Sequence, residues 1–161
     1  MHISRFVVVG LSALILGVAA QAPHEQRYVV LPSQSVPTIP ACYMCDVDSY
    51  GSWDPSRADI DGLEAGLSTV SGMKIKGWPS NVRIEHPGRY FRQYIGVSHR
   101  EQRRIYINAF CVDPPPSDWR IHLYTVTDGA TCFWQALYDP VTKTFSDLTI
   151  KIGRASCRER V

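Results

Sequence analysis

The 161-residue sequence lacks the local signatures by which several enzyme classes are recognised. It contains no Gly-x-Ser-x-Gly elbow, no P-loop, no His-Glu-x-x-His motif and no dinucleotide-binding fingerprint. It also lacks a second Cys-x-x-Cys pair or a His-x-x-x-His pair that would complete a zinc site. These absences argue against the enzyme classes that depend on those motifs, and we predict neither a metal nor a cofactor.

Long apolar runs are almost absent, and the single one is short for a membrane span. It covers Phe6–Val18, about 13 residues where a spanning helix needs roughly 20. His2 and Arg5 precede it, and the small residues of Ala19–Ala22 follow. This order is typical of a secretory signal peptide. We therefore predict that residues 1–22 are removed and that the mature chain is periplasmic or secreted, without membrane association after cleavage.

The end of the chain breaks the alternating pattern that precedes it. Residues 152–161 read IGRASCRERV, which resembles the conceptual translation of a common short-read sequencing adapter. We interpret residues 151–161 as a library artefact and set them aside. Over residues 23–151, acidic residues outnumber basic ones by one. Overall basicity then gives no support for a nucleic acid partner, and we predict none.

Arginine is nevertheless concentrated in one part of the chain, between aromatic residues. We interpret this group as a solvated sheet face and a charged turn that protects against edge pairing, and anion binding is the lesser alternative. Its members are Arg83, Arg89, Arg92, Arg100, Arg103 and Arg104.

Cysteine is scarce, but its number is informative. Cys157 lies in the artefactual tail, which leaves Cys42, Cys45, Cys111 and Cys132. An even number of cysteines in an exported chain favours disulfide bonds. Three pairings are possible. We prefer one bridge between the third and fourth cysteines, each on a predicted strand, and a local bridge between the first two.

The segment Cys42-Tyr43-Met44-Cys45 also permits a second interpretation, thiol–disulfide exchange. That chemistry requires a cysteine of lowered pKa, which the start of a helix commonly provides. Here Asp46 and Asp48 follow, and nearby anions would raise the thiol pKa instead. We therefore favour a structural pair within a proline-rich, flexible leader over residues 23–53, of which Tyr28–Leu31 is the only part that could add a strand. A periplasmic thiol-disulfide active protein remains the alternative.

A helix is predicted after the segment Asp54-Pro55-Ser56. A capping residue followed by proline at a first-turn position is a typical helix start. Apolar residues then recur every three or four positions and form one face, namely Ile60, Leu63, Leu67 and Val70. We expect this helix to be held by packing, because Gly62 and Gly66 weaken it.

The segment from Arg89 to Val112 is predicted to form two long antiparallel strands joined by a polar connector. Its β-branched and aromatic residues alternate with period two, as strand side chains do. Further strands are predicted over Trp119–Val126, Cys132–Tyr138 and Thr144–Ile150, separated by turn residues. The predicted fold class is therefore α+β over residues 54–150. We expect one N-terminal helix packed on a four-stranded antiparallel meander that is formed by four of these five predicted strands.

Four blocks of residues, within about residues 58–150, resemble a group of uncharacterised small exported bacterial proteins. The blocks are Tyr90-x-Arg92-Gln93-Tyr94-x-Gly96, Ile105-Tyr106-x-Asn108-Ala109-Phe110-Cys111, Asp128-Gly129-x-x-Cys132-Phe133-Trp134 and Tyr138-Asp139-Pro140-x-Thr142. The order of elements also resembles cystatin-like and PepSY-like domains. Fold analogy of this kind implies an architecture and does not transfer an activity.

Candidate binding residues are sought where polar side chains would share one face of the hairpin. We predict that Arg92, Tyr94, Tyr106 and Asn108 alternate onto one face of neighbouring strands and converge on a small polar ligand or a peptide. The competing interpretation is a polar sheet face that is open to water. No catalytic residues are proposed. The predicted function is an exported, non-catalytic, inhibitor-like module that binds a protein or peptide.

Overall fold

The structure is a computed structural model that describes residues 26–39, 51–99 and 102–151. Of His99 and Lys151 only the backbone is described. The predicted signal peptide, the Cys42 and Cys45 pair and the tail from residue 152 lie outside those residues.

The described chain forms one mixed sheet and one short α-helix. The six strands are β1 Tyr28–Val30, β2 Gly51–Ser52, β3 Phe91–His99, β4 Gln102–Phe110, β5 Ala130–Asp139 and β6 Thr144–Lys151. Their order in the sheet is β1-β3-β4-β5-β6, and β2 also pairs with β3. The helix α1 covers Arg57–Gly66 and continues as a 3-10 turn over Leu67–Gly72. Two further 3-10 segments lie at Ser33–Thr38 and Pro87–Arg89.

The predicted fold class, one helix on a four-stranded antiparallel meander, is wrong. Strand β1 precedes the helix in sequence and runs parallel to β3, with Tyr28 opposite Arg92. A parallel pair needs a long crossover, and the chain between β1 and β3 contains α1. Part of the segment that we assigned to the leader therefore belongs to the packed domain.

Helix α1 begins directly after the predicted segment, but its N-cap is Ser56, so Pro55 precedes the cap and does not occupy the first turn. The Ser56 hydroxyl accepts a hydrogen bond from the Asp59 backbone N–H (3.3 Å), and the Asp59 carboxylate accepts one from the Ser56 N–H (2.8 Å). This reciprocal capping box satisfies donors that the first helical turn leaves free. Ile60 and Leu63 are buried on the face that meets the sheet.

Both faces of the sheet are covered. The helix face is the one that α1 covers, and its central residues are Tyr94, Ile107, Ala109, Trp134 and Tyr138. The loop face lies opposite and is covered by two irregular segments, residues 31–39 and 112–126. Every residue from Phe91 to Val97 is buried. The sheet therefore has no polar face that is open to water along β3.

A row of polar side chains crosses the loop face in register. Gln93 lies opposite Asn108 on β4, Asn108 opposite Gln135 on β5, and Gln135 opposite Thr149 on β6. We call these four residues the amide row. Gln93, Asn108 and Gln135 are almost fully buried. Burying an amide is costly unless it is hydrogen-bonded. The hydrogen-bond partners of these side chains therefore determine which segment of the chain packs on this part of the loop face.

Gln93 and Asn108 of the amide row bond to backbone groups of the segment predicted as a strand, Trp119–Val126. Gln135 instead accepts from Thr149 (3.4 Å), and its side-chain nitrogen has no partner among the described residues. The Gln93 side-chain amide donates to the carbonyls of Trp119 and of His122 (2.7 Å), and its oxygen accepts from the Tyr124 N–H (2.8 Å). Asn108 donates to the Tyr124 carbonyl (2.8 Å) and to Gln93 (2.9 Å). The segment is not a strand, because side chains satisfy backbone groups that a ladder would otherwise pair.

The preferred pairing of Cys111 with Cys132 is confirmed. The two residues are bridged, with their Cα atoms 5.1 Å apart. The Cys111 N–H also donates to the Cys132 carbonyl (3.0 Å), which extends the pairing of β4 with β5 by one step. The bridge closes the base of the loop that covers the loop face.

Replacement of Gln93 by leucine should lower the free energy of unfolding by roughly 2–4 kcal/mol, because several buried groups would lose their partners. The measurement is urea-induced unfolding followed by tryptophan fluorescence. Gln34→Leu, at an exposed position in the segment 33–38, is the matched control and should change stability by less than about 0.5 kcal/mol. Equal effects of the two substitutions would show that the amide row does not stabilise the fold.

Simultaneous replacement of Cys111 and Cys132 by serine should lower the free energy of unfolding by about 3 kcal/mol, because a loop of roughly 20 residues becomes unconstrained in the unfolded chain. Denaturant unfolding without reductant measures this. The Cys42→Ser, Cys45→Ser double variant is the control and should have a much smaller effect, since the loop between those cysteines is short. A loss below about 1 kcal/mol for the first variant would contradict the expectation.

Candidate functional site

The four predicted binding residues do not lie on one face. Directly paired residues share a face, and Tyr94 lies opposite Ile107 whereas Asn108 lies opposite Gln93. Arg92 and Tyr94 therefore point to the helix face, and Tyr106 and Asn108 point to the loop face. A shift of one residue in the assumed register exchanges the faces of a whole strand, and this is why the sequence pattern misled.

All four of those side chains are buried. Asn108 belongs to the amide row, and Tyr106 packs in the cluster that Leu31, Val36 and Ile39 form over the loop face. On the helix face, Arg92 and Tyr94 are brought together with a residue that sequence reasoning did not select, Glu64 of α1. We call Arg92, Tyr94 and Glu64 the clasp.

The clasp ties the helix, the sheet and the turn before β3 to one guanidinium. Arg92 Nη2 donates to Glu64 Oε2 (3.1 Å), and Arg92 Nε donates to Glu64 Oε1 (3.3 Å) and to the Tyr94 hydroxyl (2.9 Å). Arg92 Nη1 donates to the carbonyls of Gly88 (2.9 Å) and Tyr90 (2.6 Å). Arg92 is only 3% exposed. Its charge is tolerated at that depth because it is paired and hydrogen-bonded.

The Tyr94 hydroxyl links the other two residues of the clasp, because it accepts from Arg92 Nε and donates to Glu64. Burial raises the pKa of Tyr94 well above its ordinary value, against the opposing effect of the Arg92 charge and with support from the Glu64 charge. The phenol therefore keeps its proton at physiological pH. It accepts from Arg92 and passes its own hydrogen bond to the carboxylate.

Above the clasp an open groove separates α1 from β1 and from the turn 86–89. Its cavity volume is about 870 Å³, and a second cavity of about 480 Å³ continues it along the 3-10 turn. Both cavities are lined by Glu64, Gly88, Arg89 and Arg92. We call the combined space the arginine groove. Its other lining residues are Gln26, Arg27, Tyr28 and Arg57 at one end and Leu67, Ser68, Ser71, His86 and Pro87 at the other.

The charges that line the arginine groove do not cancel. Arg92 is paired with Glu64, and Arg57 is paired with Asp61 through a 2.8 Å contact in which both side chains are exposed. The hydrogen bond and charge of Asp61 raise the pKa of Arg57. Arg27 and Arg89 have no acidic partner among the residues that the structure describes. Positive charge therefore remains at this site.

Local contacts hold Arg27 at the groove, and its charge has no acidic partner in the part of the chain that the structure describes. Its Nη1 donates to the Arg89 carbonyl (2.8 Å), and its guanidinium lies 4.8 Å from the centre of the Phe91 ring. Arg89 forms no side-chain hydrogen bond within the described ranges, and its side chain is exposed. Guanidinium groups bind carboxylates in a two-pronged geometry, so this pair suits an acidic ligand.

The arginine residues that are concentrated in one part of the sequence lie at separate places in the structure. Arg89 and Arg92 line the groove, whereas Arg103 lies over Trp53 and Arg104 pairs with Asp139 (3.0 Å) at the far end of β4. Arg27 and Arg57 join the groove from distant parts of the chain. No local pattern marks those two residues, and sequence reasoning did not select them.

Between residues 26 and 151, apart from the undescribed gaps, no group of three or more His, Cys, Asp or Glu side chains could hold a metal ion. In the same part of the chain no helix has the length and apolar character needed to cross a membrane.

A scan against protein-family models finds no match, and no curated protein and no solved structure matches this chain significantly. The resemblance to small exported bacterial proteins therefore stays a prediction. The thiol–disulfide alternative also stays one, because Cys42 and Cys45 lie outside the described residues.

Replacement of Arg92 by methionine should lower the free energy of unfolding by about 3–5 kcal/mol, because it leaves Glu64 and the turn carbonyls without their donor. Chemical denaturation measures the change. Arg83→Met, at an exposed arginine outside the groove, is the matched control and should alter stability by less than about 0.5 kcal/mol. If both variants unfold at the same denaturant concentration, the clasp does not hold the helix.

Proposed function

We propose that this chain is an exported, non-catalytic domain that binds an acidic segment of a protein or peptide in the arginine groove. The observation that carries the proposal is a pair of guanidinium groups, Arg27 and Arg89, that line an open groove and have no acidic partner within residues 26–39, 51–99 and 102–151. Export is supported by the signal-peptide pattern of residues 1–22.

The shape of the groove favours a chain segment over a compact small molecule. Typical small-molecule sites enclose most of the ligand surface. Here two adjoining cavities run from Gln26 to the exposed Ser68, along the outside of α1. An extended segment can follow such a groove and place several side chains in it at once.

The clasp supports the proposal by keeping the groove preformed. Arg92 fixes the turn carbonyls of Gly88 and Tyr90 and holds Glu64 at the same time. Because Arg92 occupies the Glu64 carboxylate, that carboxylate does not neutralise Arg27 or Arg89. A ligand then meets cationic groups whose surroundings are already ordered, which lowers the entropy lost on binding.

An acetylated, amidated peptide that alternates glutamate and threonine should bind the purified chain, and the same peptide with lysine in place of glutamate should not. Fluorescence anisotropy with a labelled peptide measures both. Arg89→Ala should weaken binding of the acidic peptide roughly tenfold, the equivalent of one lost charge-assisted hydrogen bond. Added salt should weaken it further.

Arg83→Ala is the matched control for that experiment, because it removes an exposed arginine that does not line the groove. It should leave the affinity unchanged. The proposal is wrong if the lysine peptide binds as well as the glutamate peptide, if neither binds, or if Arg83→Ala and Arg89→Ala weaken binding equally.

A further inference from the structure

The strand that borders the arginine groove is the outermost strand on its side of the sheet. Strand β1 pairs with β3 and with no other described strand. The Arg92 N–H donates to the Arg27 carbonyl (2.8 Å), and the Leu31 N–H donates to the Tyr94 carbonyl (2.8 Å). The backbone groups of Arg27 and Leu31 therefore point toward β3.

The intervening residues of β1 present a free edge. Successive residues of a strand direct their backbone groups to opposite sides, so the N–H and C=O groups of Tyr28 and Val30 point away from β3. Among the residues described, no hydrogen bond to these groups is found. The Val30 side chain is 39% exposed, which is unusual for a large apolar residue of this chain.

The opposite edge of the sheet differs, because it is blocked. The Lys76 N–H donates to the Leu148 carbonyl of β6 (2.9 Å), and Asp147 interrupts the strand with a φ of 53°. The register of β6 against β5 also shifts between Ser146 and Thr149, the part of β6 that contains Asp147. Bulges and covered backbone groups are the usual protection of an edge strand, and within the described residues β1 has neither.

We propose that the ligand binds by adding a strand to the free edge of β1, an inference that rests on the acidic-segment function proposed above. Tyr28 and Val30 supply the backbone groups for pairing. Tyr28 stacks on Tyr94 (ring centres 5.5 Å apart), which shows that its side chain points to the helix face, where the arginine groove lies. Alternate residues of the added strand then direct acidic side chains into the groove toward Arg89, which has no acidic partner among the described residues.

Backbone methylation of the peptide separates this binding mode from simple charge attraction. In an added strand only every second N–H of the peptide faces β1. Two glutamate–threonine peptides are compared, one methylated at the glutamate backbone nitrogens and the other at the threonine backbone nitrogens. One of the two should lose at least roughly tenfold in affinity, the equivalent of one or more lost pairing hydrogen bonds. The other peptide should bind like the unmodified peptide, and it serves as the matched control.

Hydrogen exchange on the chain itself provides the second readout. The Tyr28 and Val30 amides should exchange rapidly in the free monomer and become protected when the unmodified peptide is bound. Equal binding of both methylated peptides, with no new protection, would overturn strand addition and leave the acidic-segment function standing. Failure of the unmodified peptide to bind would overturn both.

Two other occupants of the edge are distinguishable in the same samples. Protection of Tyr28 and Val30 in the free monomer would show that another segment of this chain covers the edge. A dimer by light scattering, with those amides protected only in the dimer, would show that a second copy covers it. Either result would overturn the proposal.

Discussion

The fold depends on the way two adjacent polar residues are buried on opposite faces of β3. Arg92 points to the helix face and Gln93 to the loop face, and each is almost fully inaccessible. A buried guanidinium or amide is destabilising unless its donors and acceptors are paired. Each of the two residues therefore holds the part of the chain that covers its face of the sheet. Arg92 holds α1 and the turn before β3, and Gln93 holds the segment from Trp119 to Tyr124.

The candidate site follows from the same constraint. Arg92 forms an ion pair with Glu64 below the groove. Glu64 therefore does not neutralise the positive charges of Arg27 and Arg89 above it. Tyr28 of β1 stacks on Tyr94 of the clasp, which places β1 beside the arginine groove. The outer edge of β1, which no described strand pairs with, therefore lies next to a cationic groove. Affinity from backbone pairing and selectivity from charge are the two components that strand-addition sites combine.

Features that depend on neighbouring residues could be predicted from the sequence. The helix after Asp54-Pro55-Ser56, the alternation along β3 and β4 and the pairing of Cys111 with Cys132 were predicted. Features that depend on distant pairing could not be predicted. The sequence marks Tyr28–Leu31 as a possible strand, but three paired residues are too few to reveal its parallel partner, and no local pattern shows that buried amides bond to the backbone of Trp119–Val126. The groove joins Arg27, Arg57 and Arg89, whose proximity no spacing rule encodes.

Solvent exchange of the arginine Nε–H protons, followed by NMR, tests the central claim most directly. The account predicts that the Arg92 Nε–H exchanges far more slowly than that of Arg89, because the first is buried and bonded to Glu64 and Tyr94 while the second is exposed. Equal exchange rates for the two protons would contradict the account, since Arg92 would then not be the buried link between helix and sheet.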